Sequence, residues 1–192
     1  MARIRPPVRV MPALSLMVVA ASVVRADLPP GFTDSVVVAG GWNQAVGVTF
    51  DDANAAWVWE KGGRVWRSID GRRPLRPVLD LTEEVGDWRD FGLLGFALDP
   101  DFTNNGYIYA LYTVDYHHLR YFGTPQYNPA TNEYFRDTIG RVTRYHCSLV
   151  NGVLRADPAS RRVLVGESMS TGIPCVHLSH HVDSGIPFRN LP

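Results

Sequence analysis

The clearest alternation of apolar and polar positions lies at residues 88–113, WRDFGLLGFALDPDFTNNGYIYALYT. Two apolar runs, Leu93–Leu98 and Tyr107–Thr113, are separated by DPDFTNNG, where Pro, Asp, Asn and Gly collect as they do in turns. In the second run Tyr107, Tyr109, Leu111 and Thr113 alternate with Ile108, Ala110 and Tyr112. That mixture of aromatic and β-branched residues predicts a strand buried on both faces. The stretch reads as a hairpin of buried strands, with the rest of the chain arranged around it.

Upstream, residues 33–39, 46–50, 55–60 and 64–69 predict four short strands, broken by Gly40-Gly41, by DDAN and by KGG, with no 3.6-residue apolar period long enough for a helix. Trp57 and Trp59 lie two apart in one strand, Val65 and Ile69 mark the next, and Gly62-Gly63 joins them as a tight hairpin. A turn at Asp70-Gly71 leads to residues 75–81, where Pro74 and Pro77 suit an edge or irregular strand. Together these make an antiparallel meander of about four strands, the size of one propeller blade. Downstream, residues 115–138 are a long loop insertion rich in Tyr, His, Asn and Pro, a length that goes with a functional site or with mobility. Residues 139–147 and 161–167 return to strand character, with a turn at Asn151-Gly152 between them. This density of short strands indicates an all-β fold, a propeller or a sandwich, and the loose recurrence of strand, turn and strand favours a β-propeller of four-stranded antiparallel blades.

The N-terminal pattern differs. Arg3, Arg5 and Arg9 precede a mostly apolar run at 11–24, and Val24-Arg25-Ala26 offers small residues at a cleavage position, so residues 1–26 are expected to be a secretory signal peptide. The alternative is an uncleaved anchor, although the run falls short of the roughly 20 apolar residues that span a bilayer. The mature domain would be residues 27–192, secreted or periplasmic, with no membrane span after signal removal. Removing 1–26 leaves 15 Lys+Arg against 19 Asp+Glu, a net charge of −4. That charge argues against a nucleic-acid partner, since no basic face remains to neutralise phosphates. Cys147 and Cys175 could form one disulfide in an exported chain, or be two separate free thiols.

In order along the chain, LPPGF, VVVAGGWNQAVGVTF, EKGGRVWRSIDG, VLDLTEEV, GLLGFALDPDFTNNGYIYALYT, IGRVTRY, VLVGE and STGIPCVHLSHH resemble the N-terminal part of the glucose/sorbosone dehydrogenase family. GLLGFALDPDF with NGYIYALYT is the specific part, and the resemblance spans roughly residues 28–182. It implies an exported β-propeller related to the soluble quinoprotein glucose dehydrogenases, which use pyrroloquinoline quinone (PQQ) and calcium to oxidise a sugar hydroxyl. In that family a histidine takes the hydroxyl proton while hydride passes to the quinone. The matching position here is His180, with His181 as the alternative, in Ser-His-His-Val-Asp at 179–183. Imidazole suits that task because its unperturbed pKa of about 6.5 lies near working pH.

A second family position, a polar side chain just before GLLG that contacts the quinone, corresponds to Asp90. Relatives carry an amide there, and a carboxylate would repel those of the cofactor unless protonated or paired, with Arg89 as the candidate partner; the other reading is a surface Asp-Arg pair. His117 and His118 read as solvated loop residues, and His146 and His177 as packed or surface histidines. Asp99, Asp101 and Asn104 could suggest a calcium loop, but Thr103 stands where a third ligand is expected and no Glu closes the loop, so a turn is the expectation.

Family members continue for several further blades that carry the cofactor's arginines, lysine and calcium ligands. The strands here supply about two to three blades, against at least about four in a closed propeller. The expectation is an incomplete propeller with an open edge, a truncated and inactive form on its own. The alternative function is a non-catalytic exported module that binds carbohydrate or protein through the Tyr-rich segment 116–134.

Overall fold

The computed structural model describes residues 28–175, so His177, His180, His181 and the expected signal peptide lie outside the described residues. Two compact units divide the chain after Ser35. In the first, residues 28–35 are exposed and turn once through a Phe32 N–H to Pro29 carbonyl hydrogen bond of 3.1 Å.

The second unit is all-β, with two antiparallel sheets. The first runs β1 (Ala45–Phe50), β2 (Ala56–Glu60), β3 (Arg64–Ser68) and β4 (Leu79–Asp80) in that spatial order. The second runs β5 (Leu93–Leu98), β6 (Tyr107–Thr113), β7 (Thr138–Val150) and β8 (Val153–Val165), with β9 (Ile173–Cys175) added to the start of β7. Each is a meander of four sequential strands, the order of a propeller blade. The described strands do not close into a ring: β1 and β8 each pair on one side only. This is the incomplete β-propeller architecture expected from the strand pattern.

Local chemistry explains the bounds. Lys61, Gly62 and Gly63 turn β2 into β3, and Gly63 holds φ +105 hard against Leu81, where a side chain would collide with backbone. The central hairpin matches its pattern at both ends, Leu93–Leu98 against Tyr107–Thr113. The turn between them contains a single helical turn, α1 (Phe102–Asn105), ended by Gly106 in the left-handed conformation. Asp99 organises that turn by accepting from the Asp101 N–H, the Asn105 amide and the Tyr109 hydroxyl at 2.6–3.0 Å. Its oxygens are thus engaged by protein donors, as a turn rather than a calcium loop requires.

Three expectations need correction. Residues 33–39 form no strand: Val36 and Val37 are exposed, and among the described residues the pairing is limited to a single bridge from Ala39 to Arg72. Of 75–81 only Leu79–Asp80 pairs, because Pro74 and Pro77 have no N–H to give a ladder. β6 is not buried along both faces; Ile108, Ala110 and Tyr112 enter the core, whereas on the other face Leu111 is 40% exposed and Tyr107 and Tyr109 are half-buried. Of the two readings left open for the cysteines, the structure has the second: Cys147 and Cys175 are both free thiols. Cys175 pairs with Thr138, and Cys147 lies nine residues further along β7, about 30 Å away at ~3.3 Å per residue, far beyond disulfide reach.

The core lies between the two sheets. Trp57, Val65 and Leu79 from the first meet Leu93, Ile108, Tyr112, Ile139 and Tyr145 from the second, and Trp57 stacks on Phe96 at 5.5 Å. The sheets are also tied at one end, where the Leu93 N–H donates to the Lys61 carbonyl at 2.8 Å. Gly92 makes this possible: at φ +149 it packs so tightly on Lys61 that a Cβ would lie 2.7 Å from that carbonyl oxygen. The first glycine of GLLG is therefore a contact between sheets.

Candidate functional site

Strand directions gather three connections at one end of the two sheets: residues 61–63, residues 81–92 and the insertion 114–137. Trp88, Arg89 and Asp90 stand on the second of these. Arg89 and Asp90 are exposed, and Arg89 holds φ +50, uncommon for a residue with a side chain. Its guanidinium lies 5.0 Å over the Phe135 ring, itself at φ +58, and Trp88 packs against both Phe91 (4.6 Å) and Phe135 (4.9 Å). The structure thus brings Arg89 onto an aromatic cluster contributed by two loops, with Asp90 next to it in the chain and exposed.

The insertion is ordered, against the reading of His117 and His118 as solvated. It opens with a helical turn, α2 (Tyr116–Tyr121), capped by the Asp115 carboxylate, which accepts from the N–H groups of His117 and His118 and from that of Glu133. Both histidines are buried. His117 Nε2 accepts from the Asn128 N–H at 3.1 Å, and its ring stacks on Tyr127. His118 Nδ1 lies 3.0 Å from the Tyr127 hydroxyl, which donates to Glu83 at 2.8 Å. The tyrosine has one proton and gives it to the carboxylate, so His118 carries its proton on Nδ1. Burial lowers the His118 pKa below the usual value, keeping the ring neutral at pH 7. Burial and then the neighbouring Glu83 carboxylate hold the Tyr127 hydroxyl protonated.

Beside this relay is a polar centre that no sequence motif marked. Glu84 is 6% exposed and follows a tight turn in which its N–H donates to the Leu81 carbonyl. Its Oε1 receives the Tyr112 hydroxyl at 2.7 Å, Arg161 at 2.8 Å and the buried Arg141. Burial opposes ionisation of Glu84, but these donors more than offset it and hold the carboxyl below its usual range. Burial and then the Glu84 charge push the Tyr112 hydroxyl far above its ordinary value. Glu84 and its three partners come from the loop after β4 and from β6, β7 and β8, and their sequence separations reach 77 residues. Only the fold brings them together; in the sequence Glu84 is one of two adjacent glutamates, Glu83-Glu84, between Leu81 and Val85.

Among the described residues no group of three or more His, Cys, Asp or Glu side chains is placed to hold a metal ion. His146 is half-buried in β7 with its ring edge-on to Tyr107, a packed histidine as expected. Burial pushes the Cys147 thiol up to about 12, so it is an unreactive core residue. No helix among the described residues is long and apolar enough to cross a membrane.

No protein-family model matches the chain. It is similar to the HIPL2 protein of Arabidopsis thaliana, 28% identical over 74 residues that make up 34% of this chain and 11% of that protein. Among solved structures it is similar to an oxidoreductase described as a glucose dehydrogenase from Thermus thermophilus, with TM-score 0.44 and 22% identity over 67% of this chain and 30% of that one. It is also similar to the PQQ-bound aldose sugar dehydrogenase of Streptomyces coelicolor, with TM-score 0.42 and 20% identity over 66% of this chain and 32% of that one. The matched part spans a third or less of each of these proteins.

Proposed function

We propose that this chain supplies the first blades of an exported sugar dehydrogenase of the glucose/sorbosone type, which oxidises a sugar hydroxyl with PQQ and calcium. The observation that carries this reading is the motif GLLGFALDPDFTNNGYIYALYT. It forms the leading hairpin of a four-stranded blade, with Asp90 and Arg89 at the end where the loops of both blades gather. His180, or its neighbour His181, is the proposed base, and a sugar the proposed substrate.

The described residues do not by themselves suit the quinone. Its carboxylates need cations, but Arg141 and Arg161 are engaged by Glu84, Arg89 lies over Phe135, and an ionised Asp90 is repulsive. The chain alone is therefore expected to be inactive, since a base without its cofactor has nothing to receive hydride. The coding sequence that follows Pro192 provides the test. Further blades there, in any frame, would let the extended protein be titrated with PQQ and calcium. Saturable quinone binding, with sugar-dependent dye reduction lost in His180→Ala, is the expected result. Unchanged activity in that variant, or an adjoining sequence that encodes no blade, overturns the reading.

The Tyr-rich segment is a weaker alternative site, because most of its rings are used internally. Tyr121 and Tyr127 pack on His117, and Tyr116 lies under Arg136 at 4.6 Å.

A further inference from the structure

We propose that the cavity between the loop after β4, helix α2 and the β7–β8 pair binds a small primary ammonium ion carried on an apolar or aromatic body. The cavity has a volume of about 530 Å³, within the range of small-molecule sites, and it is bounded by groups from both blades. It opens on the face of β7 that carries Arg141 and Tyr145, the face turned to the first sheet.

Three features make its accessible chemistry accepting rather than donating. Of the two guanidiniums that line it, Arg141 spends its donors on Glu84 and on the Gly166 and Glu167 carbonyls, and the more exposed Arg161 is paired with the same Glu84 carboxylate. The Glu83 and Glu167 side chains stand exposed at the rim, and none of the described ion pairs uses either one, Arg141 reaching Glu167 only at its backbone carbonyl. Most specific is His118, 92% buried, neutral, and held by the Tyr127–Glu83 relay with its proton on Nδ1. That tautomer leaves Nε2 with a lone pair and no proton, an acceptor for an N–H donor. None of the described hydrogen bonds of His118 uses it.

The wall suits the remainder of such a ligand. Phe122 stacks on His118 at 4.5 Å and presents most of its ring to solvent, while Leu119 and Pro158 add apolar surface. An aromatic face attracts a cation as well as an apolar body. A carboxylate ligand would meet Glu83, Glu84 and Glu167, and a neutral hydroxyl would forgo the charge. The inference does not depend on the sugar dehydrogenase reading, since none of these groups is part of it.

Benzylamine is the probe, titrated into the full chain at pH 7 by calorimetry, with the ¹⁵N shifts of His118 followed by NMR. Benzyl alcohol, benzoate and glucose serve as the neutral, anionic and polyol comparisons. Benzylamine is expected to bind at least about tenfold more tightly than each, the equivalent of one charge-assisted hydrogen bond, and to shift the Nε2 resonance. Tyr127→Phe, which frees the tautomer, and Glu167→Gln, at an exposed position, are each expected to weaken it severalfold with the melting temperature little changed. Equal binding of benzoate, benzyl alcohol or glucose overturns the proposal, as does an unshifted Nε2 or an affinity indifferent to both substitutions. Failure of benzylamine to bind at all overturns it as well.

Discussion

Glu84 shows how much one buried residue can govern. A carboxylate that takes two guanidiniums and a hydroxyl in a nearly dry site is stable only while all partners remain. Glu84→Gln is expected to destabilise the domain by about 3–5 kcal/mol, because the buried Arg141 loses its counter-charge in the interior and the more exposed Arg161 loses its partner; chemical denaturation measures this. The pH dependence follows from the direction of the shift. A carboxyl whose folded pKa lies below its unfolded value of about 4.3 stabilises the fold above that value, and the contribution is lost as pH falls through the folded pKa. Melting temperatures recorded from pH 6 down to pH 3 should therefore drop more steeply for the natural protein than for Glu84→Gln. Gly92 is the second such residue. Gly92→Ala forces a Cβ onto Lys61 at a φ of +149 and is expected to cost about 1–3 kcal/mol. Gly123→Ala, also at positive φ but with open space around it, should cost less in the same assay.

Among the elements, α2 is too short to persist by propensity and depends on its cap. Asp115 satisfies two N–H groups of the helix and a third from Glu133, so one side chain closes the start of the insertion onto its own later part. Asp115→Ala is expected to cost about 1–2 kcal/mol and to raise amide exchange across 115–134 before it does so in β5 or β6. Asp115→Asn, which still accepts, should retain most of the protection. Equal exchange in both variants would show that the cap is not what orders the segment. The ordering also explains why the insertion looked like a bare loop in the sequence. His117 and His118 are buried and Tyr127 half-buried through contacts with one another and with Glu83 and Glu133, polar contacts without apolar periodicity.

For the whole domain, the outer faces of the sheets set the behaviour. Val46, Val48 and Phe50 of β1 are 41%, 55% and 50% exposed, and among the described residues β8 pairs on one side only, with Leu164 and Val165 exposed. Unpaired edges with apolar side chains invite association. Sedimentation velocity of residues 27–192 should reveal concentration-dependent self-association, and Val48→Lys should reduce it while leaving the melting temperature nearly unchanged. A monodisperse natural protein at high concentration would contradict this.

Much of the architecture was legible in the residues. The hairpin β5–β6, the Gly-Gly turn and the blade-sized meander follow from alternation and turn chemistry, which act over a few neighbours. The chain also carried the position of Asp90 and Arg89 next to GLLG. Other features were decided only by tertiary structure. Val36 and Val37 have strand propensity but find no neighbouring strand, so propensity goes unused. β7 and β8 run to thirteen residues each because they pair with one another past the end of β6, and β8 tolerates Pro158 because it is an edge. The Glu84 centre joins residues up to 77 positions apart, and the separation of Cys147 from Cys175 depends on which end of β7 each one meets. Local pattern determined which segments became strands and turns. Which charges meet, and which faces are covered, was decided by long-range packing that has no signature within any short stretch of the chain.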